Sequence, residues 1–198
     1  MLKNSFKLYY ALILSFFVNN ASFSQTYNKG KSVESLSSIA TTSLLLNNSR
    51  IDHSTAYTKL KSIYPSTYYK NASELVGEFW LIDGMLINII SRKISSTIKR
   101  DDLEAVNFMS APQYSQQVGT PKDVTMLNDY FYEIKVVKNS DVLIFYYKTL
   151  SGKKSFVIQD KLGKYKVLGY IYANQTDYVK AHNYINTVIN SLDFKSKK

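Results

Sequence analysis

The side chains of this 198-residue chain that could do chemistry are few. Asp83 lies inside an apolar stretch. If the fold buried it, its pKa would rise and it could serve as a general base, which makes Asp83 the one pocket candidate. Two plainer readings compete: Asp83-Gly84 is a hairpin-turn signal, and a helix-surface Asp needs no role at all. The two histidines, His53 and His182, lie far apart in sequence. His182 falls beside the apolar stripe of a predicted helix and His53 just ahead of another, so both are expected to be structural or exposed. Asp101, Asp102 and Glu104 form the one acidic cluster. Oxygen ligands suit calcium or magnesium, but the alternating ligands and mid-loop Gly of an EF-hand are missing. Acids opening a helix complement its dipole, so no metal is expected there.

Other chemistries lack their parts. Cysteine is absent, which removes disulfides, thiolate metal sites and Cys nucleophiles. No Gly-x-Ser-x-Gly elbow occurs, and seven glycines leave little from which to build a phosphate loop. No cofactor and no enzymatic activity are expected.

What remains is a pattern of tyrosine and lysine along the second half. Tyr130, Tyr132, Tyr146, Tyr147, Tyr165, Tyr170 and Tyr172 alternate with basic residues, and Lys148, Lys153, Lys154, Lys161, Lys164 and Lys166 face one acid, Asp160. Tyrosines could stack on sugars or grip a protein. The expected binding set is Tyr146, Tyr165 and Tyr170 with Lys148, Lys153, Lys154, Lys164 and Lys166. The competing reading is sheet packing by the tyrosines and edge protection by the lysines. Net charge is +10, from 25 basic and 15 acidic residues. Only Arg50, Arg92 and Arg100 supply guanidinium, so bidentate reading of phosphates or bases is disfavoured. A protein partner or an anionic envelope component is expected rather than nucleic acid.

The elements that must position these residues follow from periodicity. Leu36, Ile39, Ala40 and Leu44 share a face and predict a helix over Val33–Asn47. Tyr57, Leu60, Ile63 and Tyr64 predict another from a cap near Ser54. For Ala72–Ile98 two patterns compete. Period 3.6 aligns Leu75, Val76, Phe79, Ile82, Leu86, Ile90 and Ile94 behind a possible cap at Ser73. Period 2 gives strands Phe79–Ile82 and Met85–Ser91 joined by Asp83-Gly84. The helix covers more residues and is the preferred expectation. A short helix over Asp101–Met109 and a loop over Ser110–Pro121 come next. Four β segments then follow at Tyr130–Lys138, Val142–Leu150, Lys154–Gln159 and Lys164–Tyr172, with short turn-rich connections that predict an antiparallel meander. Thr176 is the predicted cap of a final helix whose stripe Ala181, Ile185, Val188, Ile189 and Leu192 should lie on the sheet. The expected fold class is α+β: a helical N-terminal half, a meander of four strands or more, and a C-terminal helix packed on it.

Residues 1–24 read as a secretory signal. Lys3 and Lys7 precede the apolar run Leu8–Val18, and Ser22 and Ser24 suit a cut before Gln25. The run is too short to span a bilayer, which needs about 20 apolar residues. The expectation is a periplasmic or secreted protein with no membrane span after cleavage. Residues 25–198 would form a single α+β domain, with 25–32 loose and 195–198 a frayed tail.

Two families share features with the second half. The meander followed by a helix ending in Tyr-Ile-Asn-Thr-Val-Ile-Asn-Ser-Leu-Asp-Phe (Tyr184–Phe194) resembles the C-terminal part of PsbP-like proteins. Helices before a sheet containing Gly-Lys-Tyr-Lys-Val-Leu-Gly-Tyr-Ile (Gly163–Ile171) resemble nuclear transport factor 2-like domains. Both resemblances imply helices against an antiparallel sheet, and both families include many members without enzymatic activity. The transport-factor-like resemblance also implies a cavity in which acids and tyrosines act, with Asp83 as its candidate here. The expected function is a non-enzymatic exported binding protein, inhibitor- or immunity-like, using the Tyr/Lys-rich sheet face. The alternatives are a transport-factor-like ligand pocket or weak enzyme, and a cationic protein held on anionic envelope polymers.

Overall fold

Runs of β-branched and aromatic residues joined by short turns in the second half build the centre of the molecule. The structure is a computed structural model that describes residues 33–46, 48–63, 69–95, 100–110, 130–147 and 153–195. In chain order the strands are β1 (Ala40–Thr42), β2 (Arg50–Ile51), β3 (Glu78–Ile82), β4 (Met85–Lys93), β5 (Tyr130–Val137), β6 (Ser140–Tyr147), β7 (Lys153–Asp160), β8 (Tyr165–Tyr172) and β9 (Leu192–Phe194). The helices are α1 (Leu36–Ile39), α2 (Ser43–Leu46), α3 (His53–Ile63), α4 (Leu103–Ser110) and α5 (Tyr178–Ser191). Seven strands form one antiparallel sheet in the order β2-β3-β4-β8-β7-β6-β5, and β1 pairs with β9 in a separate two-stranded sheet. All of these elements belong to one compact unit beginning at Val33. The fold is α+β, with the predicted meander as four of the seven strands and the C-terminal helix packed on the sheet.

The preferred helix over Ala72–Ile98 does not form. Its centre is the hairpin β3–β4, with Ile82 paired to Met85 across Asp83-Gly84. Asp83 and Gly84 both take left-handed backbone angles, φ +51° and +79°, as a two-residue turn matched to strand twist requires. The β4 side chains from Met85 to Arg92 are all buried. A strand covered on both faces reads as continuous apolar sequence, and such a run also satisfies a helical period. Ser73 caps nothing long. Asn71 Oδ1 accepts from the Ser73 N–H to start a single 3-10 turn, Ala72–Glu74.

The predicted helix over 33–47 is likewise interrupted. Residues 40–42 are extended because they pair with β9 in the register Ala40↔Phe194, Thr41↔Asp193 and Thr42↔Leu192. Lys195, expected in a frayed tail, is tied down: its N–H donates to the Ile39 carbonyl (2.8 Å) and its Nζ to the Ser37 carbonyl (2.6 Å). The helix expected from Ser54 begins at His53 and is capped by Asp52, whose Oδ1 accepts from the Thr55 N–H at 2.8 Å. That bond holds the Asp52 carboxyl below its ordinary pKa. The last helix starts at Tyr178 rather than behind a Thr176 cap. Asp177 stands at the cap position without a side-chain capping bond, and a 3-10 turn over Gln175–Asp177 leads in. The loop expected over Ser110–Pro121 lies outside the described residues, apart from Ser110, which closes α4.

Core residues sort by strand parity. On one face α5, α1 and α2 cover Trp80, Met85, Ile87, Ile89, Val142, Ile144, Phe156, Ile158, Val167 and Ile171, and the predicted stripe Ala181, Ile185, Val188, Ile189 and Leu192 supplies the helix side. On the other face α3 packs Ala56, Leu60 and Ile63 against Phe79, Leu86 and Tyr172. Beside it, α4 packs Leu103 on Leu143 and Val157. Gly169 is required by the first face. A Cβ there would meet the Phe156 ring at 2.0 Å.

Candidate functional site

Strand parity also decides the fate of the Tyr/Lys set. Adjacent residues of a strand point to opposite faces. Tyr146, Lys154 and Tyr165 therefore share the α5 face, whereas Lys153, Lys166 and Tyr170 share the face covered by α3 and α4. Lys164 lies in the β7–β8 turn and is half-buried; Lys148 falls outside the described residues. The expected set is thus not one exposed surface. Lys154 is 1% exposed and Lys166 is also buried. Helices cover both faces on which the tyrosines would have acted.

On the α5 face the structure brings together residues that the sequence left apart. The Tyr146 hydroxyl and His182 Nδ1 are 2.8 Å apart, linking β6 to α5. The Lys154 ammonium sits 3.6 Å from the Tyr146 ring centroid. Phe131, directly opposite Tyr146 in the ladder, stacks on it and meets the His182 ring edge-on. Beside them Lys135 Nζ bonds Glu133 and Asn186 Oδ1, both at 2.9 Å. Burial dominates the electrostatics. It lowers the Lys154 pKa from 10.5 to about 8 and raises that of Tyr146, which the Glu133 charge raises further. His182 is held below its ordinary value by burial and then by the Lys154 charge. The cluster is chemically competent as a proton relay, yet it lies within the sheet–helix interface, where these groups engage one another.

Across the sheet, Lys153 is half-buried with its ammonium 4.4 Å from the Tyr170 ring centroid, and burial lowers its pKa to about 8. Lys166 pairs with Asp101 at 2.8 Å. Buried Gln159 clamps the same residue through both backbone groups, accepting from the Asp101 N–H (2.6 Å) and donating to its carbonyl (2.9 Å). Arg100 forms an ion pair with Asp141 and donates to the Lys161 carbonyl at 3.3 Å. Asp102 caps α4, accepting from the Glu104 and Ala105 N–H groups. The acidic cluster is therefore divided among an ion pair, a helix cap and one exposed carboxylate, that of Glu104.

Next to this network lies a shallow cleft of about 380 Å³ between the start of α4 and strands β5 and β6. Its lining includes Arg100, Asp102, Glu104, Ile134, Val136 and Asp141. Asp101, Asp102, Glu104 and Asp141 outnumber the cations Arg100 and Lys135. Val136 is 56% exposed, and Tyr132, two pleats along the same face, is 54% exposed. The alternation of Tyr132, Ile134 and Val136 was visible in the sequence. Ile134 and Val136 line the cleft, and the exposure of Tyr132 and Val136 depends on β5 being the outermost of the described strands, which no local pattern reports.

Asp83, the pocket candidate, is a turn residue whose side chain is 58% exposed, 3.8 Å from Lys180 Nζ. Asp83 is therefore exposed and lies outside the lining of the cleft. His53 opens α3, exposed, with its ring edge-on to Phe79 at 5.2 Å. Among the described residues no helix is long and apolar enough to cross a membrane. No family model, curated protein or solved structure matches the chain.

Proposed function

We propose that the protein works by binding another polypeptide through the cleft between α4 and β5, and that it is a non-enzymatic, exported interaction module of the inhibitor or immunity type. The observation that carries this reading is the pair of exposed apolar side chains, Tyr132 and Val136, on the edge strand beside a cleft with an acidic wall. Exposed aromatic and aliphatic anchors beside polar groups are what protein interfaces use. The wall favours a segment with an apolar side chain flanked by lysine or arginine, although the chain itself is strongly basic. The Tyr/Lys face no longer contributes, since Lys154 and Lys166 are buried. Export rests on residues 1–24, which lie outside the described residues.

The test compares affinity capture from the native source by the wild-type chain and by the double variant Val136→Asp, Glu104→Lys. Both positions are exposed, so folding should survive. A stoichiometric partner held at physiological salt by the wild type and lost by the variant supports the reading. Equal retention by the variant rules out the cleft.

A further inference from the structure

We propose that β5 pairs antiparallel with β5 of a second copy, joining two seven-stranded sheets into one through a two-fold axis at Ile134. The inference concerns the backbone edge of β5; because the dimer would cover Tyr132 and Val136, self-association and partner binding at the cleft would compete for them.

Among the described strands, β5 is hydrogen-bonded along one edge only, to β6. The register ends in Val137↔Ser140 across the two-residue turn Lys138-Asn139. In such a hairpin the closing pair is hydrogen-bonded and the pattern alternates from there. Residues 131, 133, 135 and 137 therefore direct their N–H and C=O groups to β6, while those of 130, 132, 134 and 136 point outward. Among the described strands none takes up the outward groups of 132, 134 and 136, and such a row of alternating donors and acceptors is a template for another strand.

The side chains select the occupant. About a two-fold axis at Ile134, Ile134 meets its own copy, and Tyr132 lies opposite Val136 of the second copy. Glu133 then lies opposite Lys135, and Lys135 opposite Glu133. The outward-bonding positions 132, 134 and 136 fall opposite one another, so the ladder can close with no slip. Tyr132 and Val136, two of the most exposed large apolar residues described, come to cover each other on one face. On the other face Glu133 and Lys135, already paired at 2.9 Å within the strand, become a ring of four alternating charges. An edge lysine ordinarily repels a second strand. Here its neighbour two residues back is the acid that the same lysine of another copy would meet, so the edge is self-complementary in charge.

Charge exchange tests this directly, with the full chain and sedimentation equilibrium across micromolar to millimolar concentrations. The wild type is expected to dimerise. Glu133→Lys places lysine opposite lysine twice, and Lys135→Glu places glutamate opposite glutamate twice. Each variant alone should dimerise about tenfold more weakly or worse, because like charges directly opposite destabilise a strand pair. An equimolar mixture restores both opposite-charge pairs and should yield a one-to-one heterodimer, which also shows that both variants fold. Amide exchange at Tyr132, Ile134 and Val136 should slow as wild-type concentration rises. A wild type that stays monomeric overturns the proposal, as does a dimer that neither exchange weakens. Failure of the mixture to associate when the wild type does would overturn the register.

Discussion

Replacing Lys154 by methionine should make the protein more stable, by about 2 kcal/mol at neutral pH. The ammonium is buried between β7 and α5, where loss of hydration lowers its pKa from 10.5 to about 8. That difference corresponds to about 3 kcal/mol of cost for keeping the charge inside the folded protein. Methionine fills a similar volume without charge. It forfeits the contact with the Tyr146 ring, worth about 0.5–2 kcal/mol, and regains part of it through sulfur against the ring. The pH dependence fixes the sign independently. Between about pH 8 and 10.5 the unfolded chain holds more protons than the folded one, so stability should rise with pH there, and below about pH 8 the full cost applies. Lys153, also lowered to about 8, acts in the same direction and keeps part of the slope in the variant. Tyr146 and Tyr184, both raised chiefly by burial, oppose it only as unfolded tyrosines ionise near pH 10. Urea unfolding of both proteins at neutral pH and just below pH 10 would show wild-type stability rising and the variant starting higher with a shallower slope. A variant destabilised at neutral pH, or a wild type losing stability over this range, would refute the reasoning.

Three further outcomes follow from the same geometry. His182, held below its ordinary pKa by burial and the Lys154 charge, is protonated first in the unfolded chain as pH falls, so stability should drop through about pH 6.5. His182→Gln should flatten that drop, and in Lys154→Met the His182 pKa should move up, which NMR titration reads; an unmoved value contradicts the assigned cause. Gly169→Ala should cost about 1–3 kcal/mol by driving a methyl into the Phe156 ring, and Phe156→Leu in the same chain should recover part of it; equal stability of all three in thermal melts would mean the contact is absent. Asp83→Asn should leave stability and partner binding unchanged, since Asn-Gly suits the same turn, whereas Asp83→Val should cost about 1–2 kcal/mol at a left-handed position. A loss of binding in Asp83→Asn would restore that acid to the functional surface.

These outcomes trace how much the chain's local patterns disclosed. The meander was legible because β5 alternates, β6 to β8 are rich in β-branched and aromatic residues, and the turns between them are short. The C-terminal stripe was legible because it keeps one face of a helix clean. The hairpin at Asp83-Gly84 was visible as an alternative and lost to a helical period, because β4 is apolar on both sides. The break at Thr41-Thr42 was not legible, since its cause is a partner strand at Leu192–Phe194. At the candidate site, parity alone could have warned that neighbours such as Lys153 and Lys154 cannot share a surface. The Tyr146–His182 contact could not be foreseen, because it depends on how α5 is rotated over β6. The exposure of Tyr132 and Val136 depends on strand order, a property of the whole sheet.

The proposed recognition surface is the β5 side of the molecule and not strands β7 and β8. The most direct measurement is hydrogen exchange of the captured complex against the free chain, read peptide by peptide. Slowed exchange confined to residues 100–104 and 132–141 is the predicted footprint. Slowed exchange over 153–172 with no change in β5 would contradict the account.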